Sequence, residues 1–299
     1  TLPTSPFYFV KEWRRAVQRV FTFNAVKRAD LELNILNEKA AEAQKVSEDA
    51  PENIEAVKSA LQNYVEAHDR LAARLKALKE TSQNPNVDKL LDKLVEKTSK
   101  HEKLFEDISD EFDDKDEIKK LAKSAKDDLD EAVSLASEKD DAKKFAERLK
   151  KNAEEEIDDA KDAAEKAAEQ IKDAEEKISE LEKKIQKAAA PSEQASKHLA
   201  SAKEHLAVAK KAFGEQKYGE AFGQARSAEV LARNGMRVLE REAEGKDDDE
   251  DDEDEDFSED LGELERKISK HAALLSERGI TRDSNPKAYD LLESAKQHL

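Results

Sequence analysis

Six histidines, a run of ten consecutive acidic residues and an aromatic-basic cluster near the start are the parts of this 299-residue chain that could do chemistry. Each meets an obstacle in its spacing. His101-Glu102 opens a zincin-like pattern, but Phe105 stands where the second histidine of that motif is needed. Di-iron bundles place Glu three residues before His, whereas the residues at that offset here are Val65, Thr98, Ala195, Ala202, Ile268 and Ala295. With no cysteine, thiolate metal sites, disulfides and thiol catalysis are excluded. No glycine-rich phosphate loop and no recognisable nucleophile motif is present, so the sequence reads as non-enzymatic.

Three weaker candidates remain. His68 and His101 fall on apolar seams, where they would form a metal or pH-sensing layer; the plainer reading is a polar layer that fixes register. If both are buried, protonation lowers stability as pH drops through about 6. The run Asp247 to Asp256, with Asp247, Asp248, Asp249, Asp251, Asp252 and Asp254 as nominal ligands, lacks the glycine and final glutamate of an EF-hand. It would bind Ca²⁺ only weakly, and otherwise reads as a solvated linker; no other cofactor is expected. Finally, Phe7, Tyr8, Phe9 and Trp13 stand beside Arg14, Arg15 and Arg19 in residues 7–23. They make either a membrane-surface or inter-subunit contact, or the end of a helical core.

The elements that carry these residues follow from periodicity. Charged residues make up 41% of the chain, against 7 glycines and 6 prolines, and the apolar share leans on Ala and Leu, a profile of long helices. Pro6 opens a first helix over Phe7 to Phe21, and Asn24 caps a second that stops near Asp49. From Pro51 to Thr81 a seam runs Ile54, Val57, Leu61, Tyr64, His68, Leu71, Leu75, Leu78; after Gln83-Asn84-Pro85-Asn86 a second runs Leu91, Leu94, Thr98, His101, Phe105, Ile108, Phe112. Both step by threes and fours, which predicts an antiparallel pair with His68 opposite His101 and Leu75 opposite Leu94.

A helix over Asp116 to Glu138 precedes a segment that reaches Ala190 without Gly or Pro; its seam from Ile157 to Ala188 is half alanine. Pro191 restarts the chain, with Ala195, Leu199, Ala202, Leu206, Ala209 and Phe213 as a seam and Gly214 as the expected C′ residue. A helix from Tyr218 to Glu244, the acidic linker and a last hairpin complete an all-α architecture of extended antiparallel hairpins. The expected divisions are 1–113, 114–244, the linker 245–259 and 260–299.

The net charge of −18 argues against nucleic acid as a partner, because phosphate binding needs a cationic face. Outside the acidic run it is −8. No stretch of about 18 apolar residues is present to span a membrane.

Pro3-Thr4-Ser5-Pro6-Phe7-Tyr8-Phe9, with Trp13, Phe21-Thr22-Phe23 and Lys27-Arg28-Ala29-Asp30-Leu31-Glu32-Leu33, resembles an uncharacterised family of secreted helical proteins. The resemblance covers about the first 60 residues and implies export and a location outside the cell or on its surface, and the Thr1 start reads as a processed end. The stretch from Ala209-Lys210-Lys211-Ala212-Phe213 to Tyr218-Gly219-Glu220-Ala221, Ala225 and Ala228 resembles one tetratricopeptide hairpin, without the repeat that a solenoid needs. The leading expectation is a secreted or cell-surface structural or interaction protein, with protein partners or copies of itself. Its rivals are an exported divalent-cation binder and an extracytoplasmic chaperone-like adaptor.

Overall fold

A computed structural model describes residues 8–156, 160–188 and 192–244, together with 266, 269 and 273. Among the described residues the regular structure is all α-helix with no strand. The acidic run and the expected last hairpin lie outside the described residues, apart from those three isolated positions. The chain divides into two compact units, Thr1–Tyr64 with Asp249–Leu299, and Val65–Asp248.

The first unit holds α1 (Tyr8–Val20), α2 (Ala25–Asp49) and the start of α3 (Ile54–Ala77). Asn24 caps α2 as its side chain accepts from the Lys27 N–H at 3.0 Å. The apolar stripe of α2, Val26, Ala29, Leu33, Leu36, Ala40 and Ala43, is buried throughout.

The second unit continues with α4 (Pro85–Glu111), α5 (Asp116–Glu138), α6 (Ala142–Glu156), α7 (Ala160–Lys187), α8 (Glu193–Gly214) and α9 (Tyr218–Glu244). The two seams predicted over α3 and α4 are buried from Val57 to Leu78 and from Leu91 to Phe112, His68 and His101 included. Pro85 sits in the first turn of α4 behind the Asn84 cap, where a missing N–H costs nothing. Within the segment that reaches Ala190 without Gly or Pro, α6 and α7 are described, and residues 157–159 between them lie outside the described residues.

Helix α9 is the hub. One of its faces packs against α7 and α8 through Ala174, Ile178, Leu181, Ala202, Ala209, Ala225, Ala228, Leu231, Ala232 and Met236. Small side chains let these axes approach closely, and Gly235 goes further: a Cβ there would stand 2.6 Å from a Leu181 methyl. Gly223 faces α6 more tightly still, with the Lys150 Cα 2.5 Å from where its Cβ would be. Gly214 does not supply the left-handed residue after α8; Gln216 does, with φ of 62°. The turn closes there because the Lys217 N–H reaches the Ala212 carbonyl at 2.9 Å, and Phe213 meets Tyr218 edge to face at 5.4 Å.

Candidate functional site

Helix α1 is short, and on its own 13 residues would be marginal in water. Charge holds it to α2. Tyr8, Glu12, Arg15 and Arg19 step by four, three and four along one face, which lays them over Glu32, Glu38, Lys39 and Glu42 of the antiparallel α2. Arg15 donates to Glu12 at 2.5 Å, to Glu38 at 2.6 Å and to Glu42 at 3.0 Å. Lys39 donates to Glu12 at 2.6 Å and to the Tyr8 hydroxyl at 2.5 Å, and its ammonium lies 4.9 Å from the Tyr8 ring centre. Tyr8 in turn donates to Glu42 at 2.5 Å, and Lys11 closes the set on Glu42 at 2.6 Å. Near the other end, Arg19 grips Glu32 with two bonds of 2.6 and 3.1 Å, both side chains buried.

Three carboxylates thus meet three cations beside Tyr8, and a fourth carboxylate meets a fourth cation. Burial, the largest influence on Glu12, would raise its pKa, but Lys39 and Arg15 outweigh it and bring it down to about 2. Burial lowers Lys39 below the usual lysine range, with Glu12 and Glu42 opposing. The Tyr8 hydroxyl is driven up, by burial first and by Glu12 and Glu42 next. The cations thus hold Glu12 ionised, while burial works against the charge on Lys39 and keeps the Tyr8 hydroxyl protonated.

The network fixes the turn between the helices. Thr22 Oγ1 donates to the Gln18 carbonyl at 2.6 Å, and Arg28 Nε donates to the Thr22 carbonyl at 2.5 Å. On this braced turn Phe21 is 64% and Phe23 74% exposed; Val208 is the other large apolar side chain exposed among the described residues. Arg14, Gln18, Asn24 and Lys27 are exposed around them.

Of the residues expected in an interaction surface, Tyr8, Arg15 and Arg19 are occupied by α2, and Arg14 faces solvent. Phe7 lies outside the described residues, as do the side chains of Phe9 and Trp13. Sequence reasoning read Arg15 and Arg19 as a basic face and passed over Glu32, Glu38 and Glu42 as their partners. The signal was there, since those acids sit on the stripe that a tight hairpin turns toward α1.

His68 is fully buried, and neither ring nitrogen has a hydrogen-bond partner among the described residues; Asp69 is 3.7 Å from Nδ1. Its pKa is lowered by burial, with Glu131 and Asp69 opposing. His101, also buried, is pushed down to about 4 by burial and then by Lys97. Among the described residues no group of three or more His, Cys, Asp or Glu side chains could hold a metal ion. The nominal ligands Asp247, Asp248, Asp249, Asp251, Asp252 and Asp254 lie outside the described residues.

The second unit contains a charged cleft of about 720 Å³ walled by α4, α5, α6, α7 and α9. At its floor Arg226 donates to Asp130 at 2.8 Å and Glu102 at 3.2 Å, while Arg233 reaches Asp130 at 2.9 Å and Glu229 at 2.8 Å. Gln170 donates to Glu229 at 2.6 Å. Burial raises Asp130, and Arg226 and Arg233 oppose it; Glu229 is lowered because the two guanidiniums outweigh its burial. With both arginines already engaged, this floor works as a lock between helices.

Residues 1–111 match the family described as Domain of unknown function (DUF5667). The match ends where α4 ends, so it takes in the braced turn, the first seam and the second as far as Ile108, and it is consistent with an uncharacterised family. No curated protein and no solved structure matches the chain. No helix among the described residues is long and apolar enough to cross a membrane.

Proposed function

We propose that this chain is a non-enzymatic helical interaction protein that docks on another macromolecule through the turn between α1 and α2. The observation that carries this reading is the pair Phe21 and Phe23, exposed on a turn that a buried ionic network holds in place. Adjacent large apolar side chains left in water on a charge-covered surface mark an interaction site. The bracing adds to the argument, because a docking element already ordered loses less entropy on binding. A setting outside the cell, implied by the resemblance of the opening residues, belongs to the same proposal.

The test is whether the two phenylalanines serve the fold. In the double variant F21S/F23S the melting temperature is expected to stay within about 2 °C of the parent, since exposed side chains contribute within about 0.5 kcal/mol. A fall of several degrees would show that they pack in the folded chain and would end the docking reading. Light scattering over a range of concentrations then asks whether the partner is a second copy.

A further inference from the structure

Among the described side chains of α1, those that stay exposed once Tyr8, Arg15 and Arg19 have met α2 are Arg14 and Gln18, and the loop that follows adds Phe21, Phe23 and Asn24. Arg14, Gln18 and Phe21, spaced by four and three, form one exposed line, and Phe23 and Lys27 continue it past the turn. Among the described residues of this tip the exposed charges, Arg14 and Lys27, are both cationic. The nearby carboxylate of Glu32 is closed in its two-bond pair with Arg19, and Asp30 is half-buried and accepts from Asn34 at 3.3 Å.

We propose that the partner of this tip is the surface of an anionic lipid bilayer, entered by Phe21 and Phe23 and held at the phosphates by Arg14 and Lys27. The inference rests on the docking reading above and names its partner. Three features favour lipid. The apolar element is a point of two rings, suited to insertion among acyl chains at the headgroup boundary. Its flanking charges have the sign that anionic headgroups attract. The bracing by Thr22 and Arg28 keeps both rings on one short turn. The chain's overall charge of −18 repels such a surface at long range, but charges beyond about 8 Å are screened at physiological salt.

The experiment is flotation of the full chain with vesicles of phosphatidylcholine alone and of phosphatidylcholine mixed with phosphatidylglycerol. The parent is expected to float with the anionic vesicles and stay behind with the neutral ones. F21S/F23S and, separately, R14E/K27E are each expected to lower the partition coefficient about tenfold or more. No flotation of the parent, or equal flotation of parent and F21S/F23S, overturns the lipid assignment. Should self-association that F21S/F23S abolishes appear instead, the lipid partner is wrong while the docking reading stands. A collapse in the melting temperature of F21S/F23S removes both.

Discussion

Helices α1 and α2 meet through ion pairs, of which Arg15–Glu42 and Arg19–Glu32 are buried on both sides, whereas α7, α8 and α9 pack a core of alanines and a few larger apolar side chains. The two kinds of interface answer to different perturbations. A buried pair gains little net energy over a well-packed apolar substitute, because desolvation offsets the attraction, but removing one partner leaves a charge stranded. It specifies geometry, since each guanidinium must find its carboxylate, and that suits a short helix whose task is to hold a turn in place. The apolar side chains of the alanine seam themselves carry no proton to lose. Its weakness is volume, since axes this close have no room for another methyl group.

The comparison is broken most directly at Arg19. R19M removes both bonds from Arg19 to the buried Glu32 carboxylate, and the expected loss is about 3–5 kcal/mol by urea denaturation, much of it recovered in R19M/E32L. A loss below about 1 kcal/mol would mean that the pair is solvated and that charge does not fasten α1.

Acid separates the regions next. Glu12 has its pKa lowered in the folded chain to about 2, so its contribution is full above the ordinary value of 4.5 and is lost as pH falls toward 2; the span corresponds to about 3 kcal/mol. Trp13 is the single tryptophan and lies on α1, so its fluorescence follows that helix alone. Between pH 4.5 and 2 the Trp13 signal is expected to change before far-ultraviolet circular dichroism reports loss of bulk helix. Coincident transitions would contradict an acid-labile α1 beside an acid-resistant alanine seam.

His101 titrates in a higher window. Its pKa is also lowered by folding, from 6.5 to about 4, so the neutral ring favours the fold above pH 6.5 and that advantage drains away as pH falls to 4, again about 3 kcal/mol. Unfolding free energies measured at pH 7 and 4.5 should therefore converge for H101L relative to the parent. An unchanged pH slope in H101L would show that the ring is hydrated.

The close approaches of α9, to α6 at Gly223 and to α7 at Gly235, are tested by volume. G223A drives a Cβ into the Lys150 backbone and is expected to cost about 1–3 kcal/mol, with G235A milder because the Leu181 methyls can rotate away. The smallest effect belongs to F21S/F23S, which should leave stability within about 0.5 kcal/mol.

Much of this was legible in the residues themselves. Spacing by threes and fours located α2, α3, α4 and α8, Asn24 marked a helix start by the hydrogen bond its side chain can make, and Gln83-Asn84-Pro85-Asn86 marked the turn before α4. Between Lys139 and Ala190 neither glycine nor proline falls, and residues 157–159, which separate α6 from α7, lie outside the described residues. The left-handed residue after α8 was misplaced: Gly214 is the natural candidate, yet the turn puts the positive φ on Gln216 so that Phe213 can reach Tyr218. The docking tip was visible only as part of a larger aromatic-basic segment.

The sequence by itself determined that this chain is helical, where most helices begin and which stripe of each is buried, because those follow from local hydrogen bonding and from apolar periodicity. Only the tertiary structure decided which charges are surface and which are fastening. A lysine or glutamate reads the same in a string whether it faces water or a partner, and its role is set by the neighbour that folding brings within about 3 Å. Arg14 and Arg15 are adjacent in the chain, one open to solvent and the other closed on three carboxylates, and the helical turn between them makes the difference.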